Sequence, residues 1–394
     1  MSELTATTES GARLVATAEA LAQELAPRAA LHDRDGSFPH DGIAALKRAR
    51  YFAAPIPVEH GGLGVTSLHD VVVASSRLAR GDASVAIGVN MHLVILMNIV
   101  RRWQIAVAAG DARRAEIFGA SLREIARDGV VIAAAISEHG QDLTRPQTTA
   151  ARTETGWRID GRKAFCTMSP AATVLYTAVT FRDDNGVERY GYAQIPTDAP
   201  GVTICGDWDA LGMRASGSHS IAFTAVDVPR SALPGGFPAG DSDAYMERNL
   251  AAGLFHASAS LGIAESAALA VAGTLASRGE PDARARTQLA QNVIDLGACR
   301  ATLARAAMLV DASDHDTAAL FAETQVAKTF VNEASARIVD RALALSGGAG
   351  YLSAHPLSRA YRDVRAGAFM HPLGANPAYD LLGDVALGRE LVLH

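Results

Sequence analysis

Apolar residues in the first part of the chain recur at the spacing of amphipathic helices. The stretch ARLVATAEALAQELAPRAA predicts a helix that ends near Pro27, because proline lacks a backbone donor. A loop follows in FAAPIPVEHGGLGV, where prolines and glycines cluster. The very apolar VAIGVNMHLVILMNIV contains Asn90 and His92 and is short for a membrane span, so it predicts a buried helix. Residues 1–130 are therefore predicted to form an N-terminal α-helical domain.

Residues 131–232 show strand patterns instead. TAARTETGWRIDGRKAFCTMS alternates around a Thr-Gly turn, which is typical of a β-hairpin. TVLYTAVTF and RYGYAQIP flank RDDNG, a strong hairpin turn signal, and SIAFTAVDVP predicts a last strand. Short strands at this spacing predict a small middle β domain, a barrel or a sandwich.

Residues 233–394 return to helical periodicity in three long, alanine-rich segments. Gly347 and Gly348 follow the third segment, where glycine commonly caps a helix. Helices of this length pack as a bundle. The sequence therefore predicts a C-terminal α-helical bundle domain and, for the whole chain, an α+β fold.

The composition excludes several classes of protein. Hydrophobic residues make up 49% of the chain and charged residues 20%, with a net charge of −6, so nucleic acid is not an expected partner. Cys166, Cys205 and Cys299 are far apart, which predicts neither a disulfide framework nor a metal site. The N-terminus lacks the pattern of a signal peptide, and we expect a cytoplasmic protein without a membrane partner.

Several stretches resemble the acyl-CoA dehydrogenase superfamily, in the family's order and over nearly the whole chain. They are PVEHGGLGV, ISEHGQD, GRKAFCTMS, WDALGMRASGSHSIAFTAVDVP and LSGGAGYLSAHPLSRAYRDVRAG. The fourth stretch is the most specific. The resemblance implies the family's N-terminal helical domain, middle β domain and C-terminal four-helix bundle, a flavin cofactor and a homotetramer.

The residues of the flavin-facing strand also fit a flavin on chemical grounds. Alternation places Phe165, Thr167 and Ser169 on one face, where an aromatic ring and two hydroxyls can wall an isoalloxazine and bond its N5 edge. The alternative is an ordinary strand with its polar face outward.

Other candidate cofactor ligands lie in two loops. Arg214, Ser216 and Ser218 offer donors to a phosphate or carbonyl oxygen, unless they only form a polar turn. The amides around Gly347 and Gly348 suit a phosphate, although a helix cap also needs a glycine.

The chain departs from the dehydrogenases at the catalytic base. These enzymes need a carboxylate that removes the α-proton of the thioester. Aligning on Tyr361, Arg362 and Asp363 places His371 at the position of the family's Glu. In a second branch the Glu lies early in the first bundle helix, where this chain has small residues near Ala252.

Two further residues bear on this departure. The carboxylate nearest to that second position, Glu247, is offset by several residues and would point to another helix face. In the family an Arg, a Phe-Gly pair and a Gln hold the FAD pyrophosphate of a neighbouring subunit. Of these, this chain has only Arg278 and Gln288.

These departures resemble the two-component, reduced-flavin monooxygenases of the same fold. That branch takes FMNH2 or FADH2 from a separate reductase and forms a C4a-hydroperoxide with O2. It then oxygenates an aromatic, sulfur or amine compound. The resemblance assigns catalytic roles to Thr167 or Ser169, to His92 in the buried helix and to His371. A lone buried histidine can equally be a packed core residue.

We therefore predict a flavin-dependent monooxygenase that acts on a small organic molecule with reduced FMN or FAD, O2 and a reductase partner. The alternative is an FAD-dependent acyl-CoA dehydrogenase with a displaced base such as Glu247. A third class, a flavin-binding protein that acts on DNA, is disfavoured by the acidic net charge.

Overall fold

The N-terminal helices surround a first core. The computed structural model describes residues 3–140, 142–312 and 316–393. The helices are α1 (Glu9–Asp35), α2 (His40–Arg48), α3 (Leu68–Gly81), α4 (Ala83–Ala108) and α5 (Ala112–Asp128). Helix α1 continues through Pro27 to Asp35, so the predicted end near Pro27 is wrong. Packing of its buried face against α3 outweighs the one missing backbone hydrogen bond.

Helix α4 lies at the centre of the molecule. It contacts α3, α5, α7 (Ala252–Ser277) and the first strand. Two described stretches, Ala83–Ala108 and Ser242–Ser277, are long and apolar enough to cross a membrane by length and composition. In α4, 78% of the most apolar window is buried inside the fold, so its apolar surface is already covered by protein.

The middle strands join one mixed sheet. They are β1 (Ile132–Ala135), β2 (Thr149–Arg152), β3 (Gly156–Cys166), β4 (Val174–Arg182), β5 (Glu188–Pro196), β6 (Val202–Ile204), β7 (His219–Pro229) and β8 (Gly236–Pro238). Their order is β6-β7-β3-β2-β4-β5-β8, and β1 pairs with β4 in parallel. The β2–β3 and β4–β5 pairs are antiparallel hairpins, as the turn signals predict. The short strand β8 extends the sheet past residue 232.

The C-terminal part is helical. Its helices are α6 (Ser242–Asn249), α7 (Ala252–Ser277), α8 (Ala283–Ala312), α9 (Thr317–Ser346), α10 (Pro356–Val364) and α11 (Ala375–Ala386). The long helices α7, α8 and α9 pack on one another, and α7 also packs on α3 and α4. Gly347 ends α9 with a φ of 73°, a left-handed conformation that glycine adopts without a steric penalty.

The loop between β6 and β7 is fixed to the C-terminal helices. The Met213 N–H donates to Oδ1 of Asp363 at 2.7 Å, and burial raises the pKa of Asp363 to about 7. Arg362 donates to Asp33 of α1 at 2.8 Å, which ties in the N-terminal helices. A Cβ at Gly212 would lie 2.2 Å from the carbonyl oxygen of Arg362. All three parts of the chain therefore meet here.

We expect Gly212→Ala to destabilise this junction. The added methyl group meets backbone, which cannot move without disturbing α10, and overpacking of this kind costs about 1–3 kcal/mol. Gly297→Ala is the matched control, because Gly297 lies within α8 with nothing within 4 Å of the added Cβ. Urea unfolding of both variants measures the difference. Equal stability of the two would contradict the close packing.

Candidate active site

A largely apolar cavity of about 500 Å³ opens where the three parts of the chain meet. Helix α4 forms one wall of the cavity. The ends of β1 and β3 form a second wall together with the β6–β7 loop. Helices α6 and α7 form a third wall together with the segment after α10. A concave apolar cavity with few polar groups is typical of a small-molecule site.

An exposed aromatic ring and a chain of hydroxyls line the sheet side. Phe165 is 60% exposed and has a φ of 55°, which bulky residues rarely adopt. Its ring packs edge-on to Trp208, with 6.0 Å between centroids. Beside it, Oγ of Ser218 lies 2.9 Å from Oγ1 of Thr167 and 2.7 Å from Oγ of Ser216. The structure thus brings together an aromatic wall and neighbouring hydroxyls.

His371 lies in the opposite wall. Its Nε2 lies 2.9 Å from the Tyr245 hydroxyl and 3.2 Å from Oδ1 of Asn249. The Asn249 amide donates to the Tyr245 carbonyl oxygen, which turns its Oδ1 toward the imidazole. This arrangement favours the tautomer with hydrogen on Nε2, and it leaves the Nδ1 lone pair available.

His256 on α7 is a second cavity histidine, which the sequence analysis missed. It is 4% exposed, and its Nδ1 has no hydrogen-bond partner among the described residues. Its signal was a lone imidazole in the otherwise small and apolar run AAGLFHASASLG. An unpaired buried nitrogen costs free energy, and the His256 ring also lines the cavity.

Lys328 of α9 holds the loop that carries His371. Its side chain is 2% exposed, and its ammonium donates to the carbonyl oxygens of Met370 and Leu373, on either side of the histidine. Burial lowers the pKa of Lys328 to about 7. The sequence does not single out this lysine, because one cation in a helix has the same local pattern whether it faces solvent or a buried loop.

Burial and the nearby Lys328 charge keep both cavity imidazoles neutral. Burial lowers the pKa of His371 to about 3, and Lys328 adds to this effect. The same two causes hold the pKa of His256 well below its usual range. At neutral pH both rings are therefore uncharged, and each has one ring nitrogen with a free lone pair.

The charged side chains of the cavity wall are all basic. The arginines among them are Arg102, Arg248, Arg362 and Arg365. Arg362 and Arg365 are paired with Asp33 and Asp340, respectively, whereas the other two have no salt bridge to a described residue. No aspartate or glutamate lines the cavity in the described parts of the chain.

Ser169 does not share a face with Phe165 and Thr167, so that expectation is wrong. Strand β3 ends at Cys166, and left-handed residues at Phe165 and Met168 break the alternation. Ser169 begins a short 3-10 helix, is fully buried and donates to the carbonyl oxygen of Gly217 at 3.0 Å. It does not line the cavity.

His92 does not line the cavity, so the structure does not support the catalytic role that the resemblance implies for it. Its Nε2 bonds the carbonyl oxygen of Phe52 at 2.9 Å, and its Nδ1 accepts from the Ile132 N–H at 3.1 Å. The ring is fully buried, and burial lowers its pKa to about 4. His92 is therefore a core histidine that joins α4 to β1.

The remaining candidates also lie off the cavity wall. Arg214 donates to the Asp33 carbonyl oxygen at 2.8 Å and to Asp209 at 3.2 Å. Glu247 is exposed on α6, so it is not placed to act as a displaced base. Gly347, Gly348 and Arg278 are exposed at helix ends, and Gln288 lines a separate shallow groove. A role for these four in cofactor binding stays a prediction.

The cavity fits a flavin on its own geometry. Phe165 and Trp208 offer an exposed aromatic surface, Thr167, Ser216 and Ser218 offer hydroxyls, and the arginines offer donors to a phosphate. These groups can bind an aromatic cofactor and keep water from it.

Comparison with known protein families decides the assignment. The chain matches the N-terminal, middle and C-terminal domains of acyl-CoA dehydrogenases over residues 8–104, 132–226 and 254–372. The chain belongs to the acyl-CoA dehydrogenase family. This confirms the predicted family and α+β fold. It also confirms the predicted class of enzyme, a flavin-dependent oxidoreductase.

Within the acyl-CoA dehydrogenase family, the chain is similar to proteins named as nitrososynthases. It is 33% identical to L-evernosamine nitrososynthase from a Micromonospora strain, over 97% of this chain and 92% of that protein. It is 32% identical to amino sugar nitrososynthase DnmZ from Streptomyces peucetius, over 97% and 95% of the two chains.

A solved structure is also similar to this chain. KijD3 in complex with FMN and dTDP-3-amino-2,3,6-trideoxy-4-keto-3-methyl-D-glucose superposes with a TM-score of 0.90 at 32% identity, over 98% of this chain and 96% of that one. FMN-bound TdsC from a Paenibacillus strain, at 24% identity and a TM-score of 0.85, shares the fold.

The buried His92 gives a testable pH dependence of stability. An unfolded histidine takes up a proton near pH 6.5, but folded His92 resists it until about pH 4. The contribution of the neutral His92 ring to the free energy of unfolding is therefore fully present above about pH 6.5. It is lost as the pH falls toward about 4, by up to about 3 kcal/mol.

We expect the free energy of unfolding to fall less between about pH 7 and about pH 5 in His92→Gln than in the wild-type protein. This is roughly the range in which the unfolded imidazole titrates. His139→Gln is the control, because that ring is exposed. Denaturant unfolding at several pH values measures both slopes. A His92→Gln slope as steep as that of the wild-type protein would contradict the assignment.

Proposed function

We propose that this enzyme is a two-component monooxygenase that uses reduced FMN and O2 to oxygenate the amine nitrogen of an amino-sugar nucleotide. One observation carries the proposal: His371 and His256 face the cavity, and no described carboxylate does. Dehydrogenation of an acyl thioester needs a carboxylate base, which this wall does not offer. The similarity to amino-sugar nitrososynthases supports an amino sugar as the substrate class.

When bound, reduced FMN supplies the two electrons needed to place one atom of O2 on the substrate. The first turnover balances as R–NH2 + O2 + FMNH2 → R–NHOH + FMN + H2O. A second balances as R–NHOH + O2 + FMNH2 → R–N=O + FMN + 2 H2O. The name nitrososynthase, which the relatives carry, supports both turnovers.

The charge of the cavity favours this chemistry. An amine attacks oxygen through its lone pair, so the neutral amine is the reactive form and the ammonium ion is not. Buried cations near the amine disfavour its protonated form, and a neighbouring carboxylate would favour it. The wall contains Arg102 and Arg248 and no described acid. Lys328 does not line the cavity, but its ammonium holds the loop that carries His371.

The neutral imidazoles then orient the amine. The Nδ1 lone pair of His371 can accept an amine N–H group, and the His256 ring lines the same cavity. The Tyr245 hydroxyl and Asn249 hold the His371 ring in position. The hydroxyls of Thr167 and Ser218 lie on the sheet side, where we propose that they bond the flavin.

Three finer features belong to the same proposal. FMN is favoured over FAD, because KijD3 holds FMN and this chain lacks part of the family's pyrophosphate motif near Arg278. A separate reductase supplies the reduced flavin. A homotetrameric assembly and a cytoplasmic location stay predictions.

The proposal predicts oxygen transfer to nitrogen. Enzyme with FMN, a flavin reductase, NADH and a dTDP-amino-keto-sugar should give hydroxylamine and nitroso products that carry label from isotopic O2. Mass spectrometry measures the label, and the same sugar nucleotide without its amine is the control. Bleaching of tightly bound FAD by an acyl-CoA without O2 would contradict the proposal and favour the dehydrogenase.

His371→Ala should uncouple the enzyme. Without the acceptor on the amine, flavin would still be reoxidised, but hydrogen peroxide would replace product. Loss of one hydrogen bond of about 1–3 kcal/mol lowers product per NADH about ten- to a hundredfold.

Product and peroxide are measured together, with His139→Ala as the surface control. An unchanged product yield would leave His371 as a packed loop residue. Acyl-CoA dehydrogenase activity in His371→Glu would show that the scaffold holds a thioester and would contradict the proposed substrate class.

A further inference from the structure

Arg102 and Arg248 stand out from the other cavity arginines by their lack of a counter-charge. Arg102 comes from the C-terminal part of α4 and Arg248 from α6, and both line the cavity. Burial lowers the pKa of Arg102, and the charge of Arg248, which lines the same cavity, lowers it further. Neither has a salt bridge to any residue that the structure describes.

Neutral groups hold Arg248 in place. Its guanidinium lies 5.0 Å from the centroid of the Tyr192 ring and 4.6 Å from that of Phe237. It donates to the Tyr176 hydroxyl at 3.1 Å, and its buried Nε has no partner among the described residues. Rings and a neutral phenol orient the cation without neutralising it.

Arg102 is held in a similar way. Its guanidinium lies over the Phe118 ring, 5.6 Å from the centroid. The exposed Glu247 raises its pKa from a distance but forms no salt bridge with it. Two partly buried cations in the wall of one cavity are costly unless an anion joins them.

We propose that Arg102 and Arg248 form a phosphate subsite at one end of the cavity. Guanidinium groups match phosphate oxygens in charge and in the geometry of their paired donors. The inference rests on the proposed function for its preferred source, the diphosphate of the nucleotide substrate. The phosphate of FMN shares this chemistry and is the second source.

The position relative to His371 fits a substrate with a phosphate at one end and an amine at the other. Arg248 directly precedes Asn249, whose Oδ1 contacts Nε2 of His371 at 3.2 Å. Asn98 of α4 donates to the Arg248 carbonyl oxygen at 2.9 Å and so fixes this backbone. The proposed phosphate ligand Arg248 and the imidazole contact Asn249 are thus consecutive residues of α6.

The test measures binding, not turnover. Calorimetry would compare dTDP, inorganic pyrophosphate and reduced FMN on the wild-type protein and on the double variant Arg102→Gln/Arg248→Gln. Loss of one charged hydrogen bond lowers affinity by about tenfold or more, so we expect about a hundredfold loss for dTDP and pyrophosphate in the double variant. Arg102→Lys/Arg248→Lys, which keeps the charges, should recover part of it.

Arg28→Gln is the matched control, because Arg28 is an exposed arginine paired with Asp41 outside the cavity. A loss confined to dTDP and pyrophosphate assigns the subsite to the substrate, and a loss confined to FMN assigns it to the cofactor. Unchanged binding of all three ligands in a folded double variant overturns the subsite. If the wild-type protein binds no dTDP, the proposed substrate class fails, while the pyrophosphate and FMN titrations still decide the subsite.

Discussion

Buried positive charge without a carboxylate partner is the constraint on which this site depends. Lys328 is desolvated in α9, and its ammonium is satisfied by two backbone carbonyls of the loop that carries His371. The same charge helps to keep the His371 and His256 rings neutral. One cation therefore sets both the position of the loop and the protonation state of the acceptors that face the cavity. A carboxylate in this wall would undo both effects, because it would favour protonated imidazoles.

The fold explains how a dehydrogenase scaffold carries different chemistry. The cavity forms between α4, the sheet and the C-terminal helices, and junctions such as Met213 with Asp363 hold these parts together. These contacts do not involve His371, so they hold the scaffold together whichever residue stands at that position. In the proposed function, His371 stands where the dehydrogenases have an acid, and a cavity without a described carboxylate suits a neutral amine.

Errors in the sequence-based site have a common physical cause. Strand periodicity placed Ser169 beside Thr167, but left-handed residues at Phe165 and Met168 end the alternation. A buried imidazole at His92 looked catalytic, yet backbone groups of Phe52 and Ile132 satisfy both nitrogens. Local spacing carries no information about which backbone group folds back onto a side chain.

The sequence by itself determined most of the helical and strand segments, the hairpins and the family, and it singled out His371 as a candidate. These follow from local periodicity, turn chemistry and ordered motifs. Only the tertiary structure decided that His256, Lys328, Arg102 and Arg248 belong to the site. They come from different helices, and a single cation or imidazole in a helix has the same local pattern whether it faces core, solvent or cavity. Burial and the presence or absence of a partner, which arise when the helices pack together, decide its role.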